Sequence, residues 1–183
     1  MRKLSMEDLD RLSVEDFKKA SKKPIVVVMD QIRSMHNVGS VFRTADAFLI
    51  NGICLCGFTP QPPHRDIHKT ALGATESVDW MYYENTLEAV AALQKQGYKV
   101  YAIEQAKGSI SLEKFKNSFP STSDNAFAFV LGNEVEGASE KILNLCDGAI
   151  EIPQYGMKHS LNIATAAGVV LWEIIRTRMN AHR

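Results

Sequence analysis

The chain has only three cysteines, Cys54, Cys56 and Cys146, an odd number without a Cys-x-x-Cys pair. That excludes a disulfide framework, and no metal site is expected, zinc included. No apolar run approaches the roughly 18 residues of a membrane span. The N-terminus, with acids interspersed, has no apolar core followed by a small-residue cleavage site. A reducing cytoplasm is the expected location. Neither sign of charge is in excess: 21 Lys and Arg stand against 21 Asp and Glu. Tight non-specific binding to nucleic acid has no support in that sum.

Several motifs are missing as well. Without Gly-x-x-x-x-Gly-Lys-Ser/Thr a P-loop nucleotide hydrolase is disfavoured. Asn37-Val-Gly39 offers one glycine where the dinucleotide fingerprint needs three, which disfavours a Rossmann oxidoreductase. Ser160 lies outside any Gly-x-Ser-x-Gly elbow, and the adjacent His159 is poorly placed to act as its base.

What is present is an ordinary globular composition, 45% apolar and 23% charged over 183 residues, which suits one domain. Residues 6–19 carry Met6, Leu9, Leu12 and Phe17 at near-helical spacing, predicting a short, largely exposed helix, with Ser5 and Asp8 as a helix start. Ile25–Met29 is a β-branched run suited to a strand buried on both faces. A helix is expected from Asn37 to Leu49, with Gly39, Arg43 and Asp46 on one side and open space beside the arginine. Further strands are expected at 52–57, 77–82, 99–103, 127–131 and 149–152. Helices are expected at 86–96, 138–145 and 161–179, with a partly irregular connection over 107–125. The basic run His64 to Lys69 follows Pro60, Pro62 and Pro63 and reads as a surface loop. Strands alternating with helices predict an α/β fold with a mainly parallel sheet flanked by helices.

Three polar constellations sit where apolar elements end: Asn37-x-Gly39-x-x-x-Arg43, Gly132-Asn133-Glu134-x-x-Gly137, and Ile152-Pro153-x-x-Gly156-x-x-x-Ser160-Leu161-Asn162. In open α/β sheets ligands bind in the crevice outside the carboxyl ends of the strands. Singly, each constellation has a plainer reading: Asn37, Asn133 with Glu134, and Ser160 as helix caps. Three such ends in one small domain point instead to a ligand-binding floor.

Together and in this order, the three stretches closely resemble the motifs of the SpoU (TrmH-like) branch of the SPOUT RNA methyltransferases, over residues 25–178. Val135 stands where the second motif commonly has glycine. The resemblance implies a SPOUT domain over 24–183 with a C-terminal deep trefoil knot at about 127–183, preceded by an N-terminal helical extension over 1–23. It implies S-adenosylmethionine bound in the knot and a homodimer whose active site draws on both subunits. Carried over by position, Glu104, Leu131, Gly132, Asn133, Ile152 and Leu161 would hold the cofactor, and small Ala164, Ala166 and Ala167 would let the last helix pack under the loop. Asn37, Arg43, Glu134, Ser160 and Asn162 match the catalytic and structural polar positions.

The implied reaction is methyl transfer to a ribose 2'-hydroxyl of transfer or ribosomal RNA. The resemblance offers Arg43 as the base, yet a guanidinium stays protonated in essentially all proteins. Arg43 is therefore expected to grip a phosphate, orient the 2'-oxygen and stabilise the developing oxyanion, with phosphate-assisted base action as the alternative. Arg33, His64, Arg65, Lys69 and Lys158 are the expected RNA contacts, with the catalytic domain itself recognising the RNA. The alternative is a catalytically silent knotted module that only binds RNA.

Overall fold

A computed structural model describes residues 1–5, 7–9, 11–115, 125–158 and 160–180. Met6, His159 and residues 116–124 of the 107–125 connection therefore lie outside the described residues. Seven strands form one sheet in the order β3-β2-β1-β6-β4-β7-β5, and every pairing between them is parallel. In chain order they are β1 (Lys23–Asp30), β2 (Ile50–Cys56), β3 (Trp80–Tyr83), β4 (Lys99–Ile103), β5 (Ile110–Ser111), β6 (Phe127–Leu131) and β7 (Gly148–Glu151).

The central strands are apolar between their ends because both faces are covered. Ile25, Val27 and Met29 of β1, with Phe127, Phe129 and Leu131 of β6, pack into one core. That core is closed by α1 (Val14–Lys19), α2 (Met35–Ala47), α3 (Arg65–Ala71) and α8 (Ile163–Asn180). Val26, Val28, Ala128 and Val130 point the other way, against α5 (Thr86–Lys95) and α7 (Glu140–Leu145). Two further short helices, α4 (Ala74–Ser77) and α6 (Leu112–Phe115), complete the chain. Cys54, Cys56 and Cys146 are free thiols, each pushed up to about 12 by burial.

Local chemistry explains where the elements start, and it corrects several expectations. The expected N-terminal helix divides into a 3-10 turn at Glu7–Leu9 and α1, which Ser13 caps. Only Phe17 of α1 is buried, so one aromatic pins an otherwise exposed helix to the core. Helix α2 begins at Met35, two residues before Asn37, because Ser34 Oγ accepts the Asn37 N–H at 3.2 Å.

The basic run is not a loop. His64 caps α3 through Nδ1, which accepts the Asp66 N–H at 3.2 Å, and Ile67 and Ala71, four apart, bury one face. Asp66 in its first turn and His68 and Lys69 in its last suit the helix dipole. The segment expected as a strand from Ser77 is split, since Ser77 ends α4 and donates from Oγ to Asp46, and β3 starts only at Trp80. Gly39 does not open space beside Arg43. A Cβ there would collide with Thr70 Oγ1 and the Ile67 carbonyl, so its role is the close crossing of α2 and α3.

Candidate functional site

The carboxyl ends of β4, β6 and β7 border a cavity of about 510 Å³. Its lining includes Glu104, Leu131, Gly132, Asn133, Ile152 and Leu161, all six residues expected at a cofactor, together with Glu134, Ser160 and Asn162. Gly137 of the second motif and Ala166 of α8 line it too, as do Gln105 and Gln154, which were not singled out from sequence. For Gln154 the signal was its position inside the third motif. That for Gln105 was its place just past β4.

The floor is a tight turn. Gly137 N–H donates to the Asn133 carbonyl at 2.9 Å, while Asn133 Oδ1 accepts the N–H of Val135 at 2.9 Å and of Glu136 at 3.3 Å. Asn133 Nδ2 reaches back to the Gln31 carbonyl at 2.7 Å. Both glycines of the motif are required by space. A Cβ on Gly132 would strike Ala138 N and Gly137, and Gly137 has φ +68° with Glu104 Oε2 against the position of its missing Cβ. Glu104 Oε2 accepts the Ala138 N–H at 2.9 Å, and Oε1 accepts the Gln105 N–H at 2.9 Å. Glu104 therefore holds the turn in shape as well as forming a wall. Val135 fits without strain, because its side chain projects outward, 77% exposed.

Three distant segments meet beside the cavity. Glu134 accepts the N–H of Arg33 at 3.1 Å and of Ser34 at 3.2 Å, and the Asn37 amide at 3.2 Å. Burial pushes its carboxyl up. The N–H groups of Arg33, Glu134 itself and Ser34 and the Asn37 amide outweigh that, leaving it below the ordinary range. Asn37 Oδ1 in turn accepts from Asn162 Nδ2 at 3.0 Å, and Asn162 Oδ1 caps α8 through the N–H groups of Ala164 at 3.0 Å and Thr165 at 3.3 Å. The cap of α8 is thus Asn162 rather than Ser160, and the cap of α7 is Ser139 rather than Asn133 or Glu134.

Ala167 is buried and Ala164 packs against the core, so two of the small residues of α8 face the sheet. Ser160 and Leu161 are exposed at the cavity rim. Arg43 is exposed on α2, has no ion pair or side-chain hydrogen bond among the described residues, and does not line the cavity.

Of the expected RNA contacts, His64, Arg65 and Lys69 belong to α3 and its cap, whereas Arg33 precedes α2 and Lys158 precedes α8. Arg33 lies over the Phe58 ring, 5.8 Å from its centroid; His64 is engaged as a cap; Lys69 pairs with Asp66 at 2.7 Å; Arg65 and Lys158 are exposed.

A crevice at strand ends, lined by peptide groups, side-chain amides and the carboxylates of Glu104, Glu134 and Glu136, lies where open α/β sheets bind their ligands. The model of the SpoU rRNA Methylase family matches residues 24–172, and the chain belongs to that family. The 23S rRNA (guanosine-2'-O-)-methyltransferase RlmB of Vibrio cholerae is 30% identical over 178 residues, 97% of this chain and 67% of that protein. The tRNA (guanosine(18)-2'-O)-methyltransferase of Aquifex aeolicus is 28% identical over 161 residues, covering 86% and 71%. Among solved structures, the AdoMet-bound rRNA methyltransferase of Sinorhizobium meliloti superposes with a TM-score of 0.75 at 26% identity, over 87% of this chain but only 59% of that one. No helix among the described residues is long and apolar enough to cross a membrane.

Proposed function

We propose that the chain is an S-adenosylmethionine-dependent RNA methyltransferase that modifies a ribose 2'-hydroxyl of transfer or ribosomal RNA. The observation that carries this is the meeting of Glu134, Asn37 and Asn162, from three separate segments, beside one crevice at the strand ends. The crevice suits the cofactor. It has room for a nucleoside-sized ligand, and the turn that lines it closes tightly on itself because Gly132 carries no side chain to strike Gly137 and Ala138. When bound there, the cofactor supplies an electrophilic methyl on a sulfonium.

Glu104, Leu131, Gly132, Asn133, Ile152 and Leu161 form the walls, and Asn37, Glu134 and Asn162 hold the turn and the start of α8 in register. Arg43 binds the phosphate next to the target ribose, orients the 2'-oxygen in line with the methyl and stabilises its developing charge. The hydroxyl proton is released to solvent as the new C–O bond forms and the methyl–sulfur bond breaks, the sulfur leaving as a neutral thioether.

Because Arg43 lies outside the crevice of its own chain, the site is completed by a second copy in a homodimer. Half-exposed Trp172 and Val169 on α8, which packs against the helix carrying Arg43, give that copy an apolar face. With this reading come the family's trefoil knot at about 127–183 and a cytoplasmic compartment, and Ser160 fixes the loop at the subunit contact. Arg33, His64, Arg65, Lys69 and Lys158 contribute RNA contacts; His64 does so from its place at the start of α3.

Transfer of labelled methyl from S-adenosylmethionine to unmodified transfer and ribosomal RNA pools, followed by nucleoside analysis, tests the reading. A 2'-O-methyl product in either pool supports it and names the substrate. Cofactor and RNA binding without incorporation in either pool would favour the silent binding module.

A further inference from the structure

A second cavity, of about 450 Å³, lies on the other side of the turn that floors the first. Asn133, Glu136 and Gly137 line both, so only that turn separates them. The second is bounded by the ends of β1 and β3, by the start of α5 and by α7. No role assigned so far uses it.

At its wall sits Asp30, only 5% exposed. Thr86 Oγ1 donates to Asp30 Oδ1, and among the described residues no donor reaches Oδ2. No buried side-chain oxygen among the described residues lacks a hydrogen-bond partner, so Oδ2 is not sealed in and opens on the cavity. A carboxylate oxygen held this way is an acceptor waiting for N–H groups. Beside it Phe58 is 53% exposed, and the Arg33 guanidinium carbon lies 5.8 Å from its ring centroid. An aromatic face and a guanidinium are the two surfaces on which unstacked RNA bases pile. Lys141 at the rim offers a cation for a phosphate, while Glu84 and Glu136 keep the whole cavity from being basic.

We propose that this cavity binds a single unstacked guanine of the RNA substrate, stacked on Phe58 and Arg33 with its Watson–Crick edge against Asp30. Guanine is the one standard base that presents two neighbouring N–H donors, N1–H and the N2 amino group, to a single carboxylate. Adenine, cytosine and uracil each set an acceptor beside their donor, which would face Asp30 with like partial charge. The inference rests on the methyltransferase reading, since it makes the two cavities neighbouring parts of one RNA site.

The test measures binding of fluorescent, short, uridine-rich single strands carrying one guanosine, inosine or adenosine, with S-adenosylhomocysteine present. The wild type should bind the guanosine strand about tenfold more tightly than the inosine strand, which lacks the N2 amino group, and more tightly still than the adenosine strand. Asp30→Asn should abolish the difference, and Phe58→Leu should weaken all three strands while preserving their order. A wild type that binds all three equally, or binds none, overturns the assignment, as does discrimination that survives Asp30→Asn.

S-adenosylhomocysteine affinity, read by calorimetry in the same samples, should be unchanged in both variants. Its absence in the wild type would sink the methyltransferase reading instead. Nucleoside analysis separates two sources of the guanine. A 2'-O-methylguanosine product lost in Asp30→Asn identifies the target base, whereas another methylated nucleoside identifies a flanking one.

Discussion

The Asn37 side-chain amide donates to the Glu134 carboxylate at 3.2 Å, joining residues 97 positions apart in sequence. One carboxylate thereby orders the entry to α2 and the turn after β6 together. Glu134→Ala should cost about 1–2 kcal/mol of stability, the usual loss when a partly exposed charged acceptor abandons several donors. Urea denaturation would measure it, and an unchanged midpoint would contradict the structural role.

Asn37→Ala should release Asn162 as well as Glu134, because the same amide serves both. A double-mutant cycle of Asn37→Ala with Asn162→Ala should therefore be non-additive by about 0.5 kcal/mol or more. Additive losses would mean the two contacts act separately.

The carboxyl groups of Glu134 and Asp30 should give opposite pH signatures. Glu134 is held below its ordinary range, so its contribution is complete above about pH 4.5 and is lost as pH falls through the lowered value. Burial pushes Asp30 up, only partly offset by Thr86, so its ionisation destabilises the fold as pH rises through that raised value. Relative to wild type, the Tm change of Glu134→Gln should be more negative at pH 7 than at pH 3. That of Asp30→Asn should be more positive at pH 7 than at pH 3. Thermal melts at the two pH values check both signs.

Gly137→Ala combines a positive φ of +68° with a clash against Glu104 Oε2, and should cost about 1–2 kcal/mol while lowering S-adenosylmethionine affinity several-fold. Gly168→Ala, on α8 where a Cβ meets nothing within 4 Å, is the control and should be neutral or slightly stabilising. Calorimetric titration and thermal melts on both variants make the comparison.

Arg43→Ala should lower methyl transfer at least about 100-fold while leaving folding and cofactor affinity intact, since the exposed side chain supports nothing else among the described residues. Single-turnover rates with saturating RNA would read it. A rate near that of the wild type would remove Arg43 from the reaction.

The sequence alone determined the elements whose signal is local. The β-branched run at β1 and the apolar stretches at β4 and β6 read as strands because a parallel strand covered on both faces must be apolar along its length. The three motifs were legible as polar residues at strand ends, and the six residues carried over by the family resemblance all line the crevice. Position 64–71 was misread because the prolines before it dominated, although Ile67 and Ala71 already stood at helical spacing. Only the tertiary structure decided what each polar side chain touches. Capping passed from Asn37 to Ser34 and from Ser160 to Asn162, and Gly39 proved to serve the crossing of two helices rather than an approaching ligand. The second cavity was equally invisible in the sequence: Asp30, Phe58 and Lys141 are far apart along the chain and share a wall only once β1, β2 and β6 lie side by side. Periodicity reports which face of an element is buried. It carries no information about which distant hydrogen-bond donor will meet which acceptor, and in this protein those long-range pairings assemble the site.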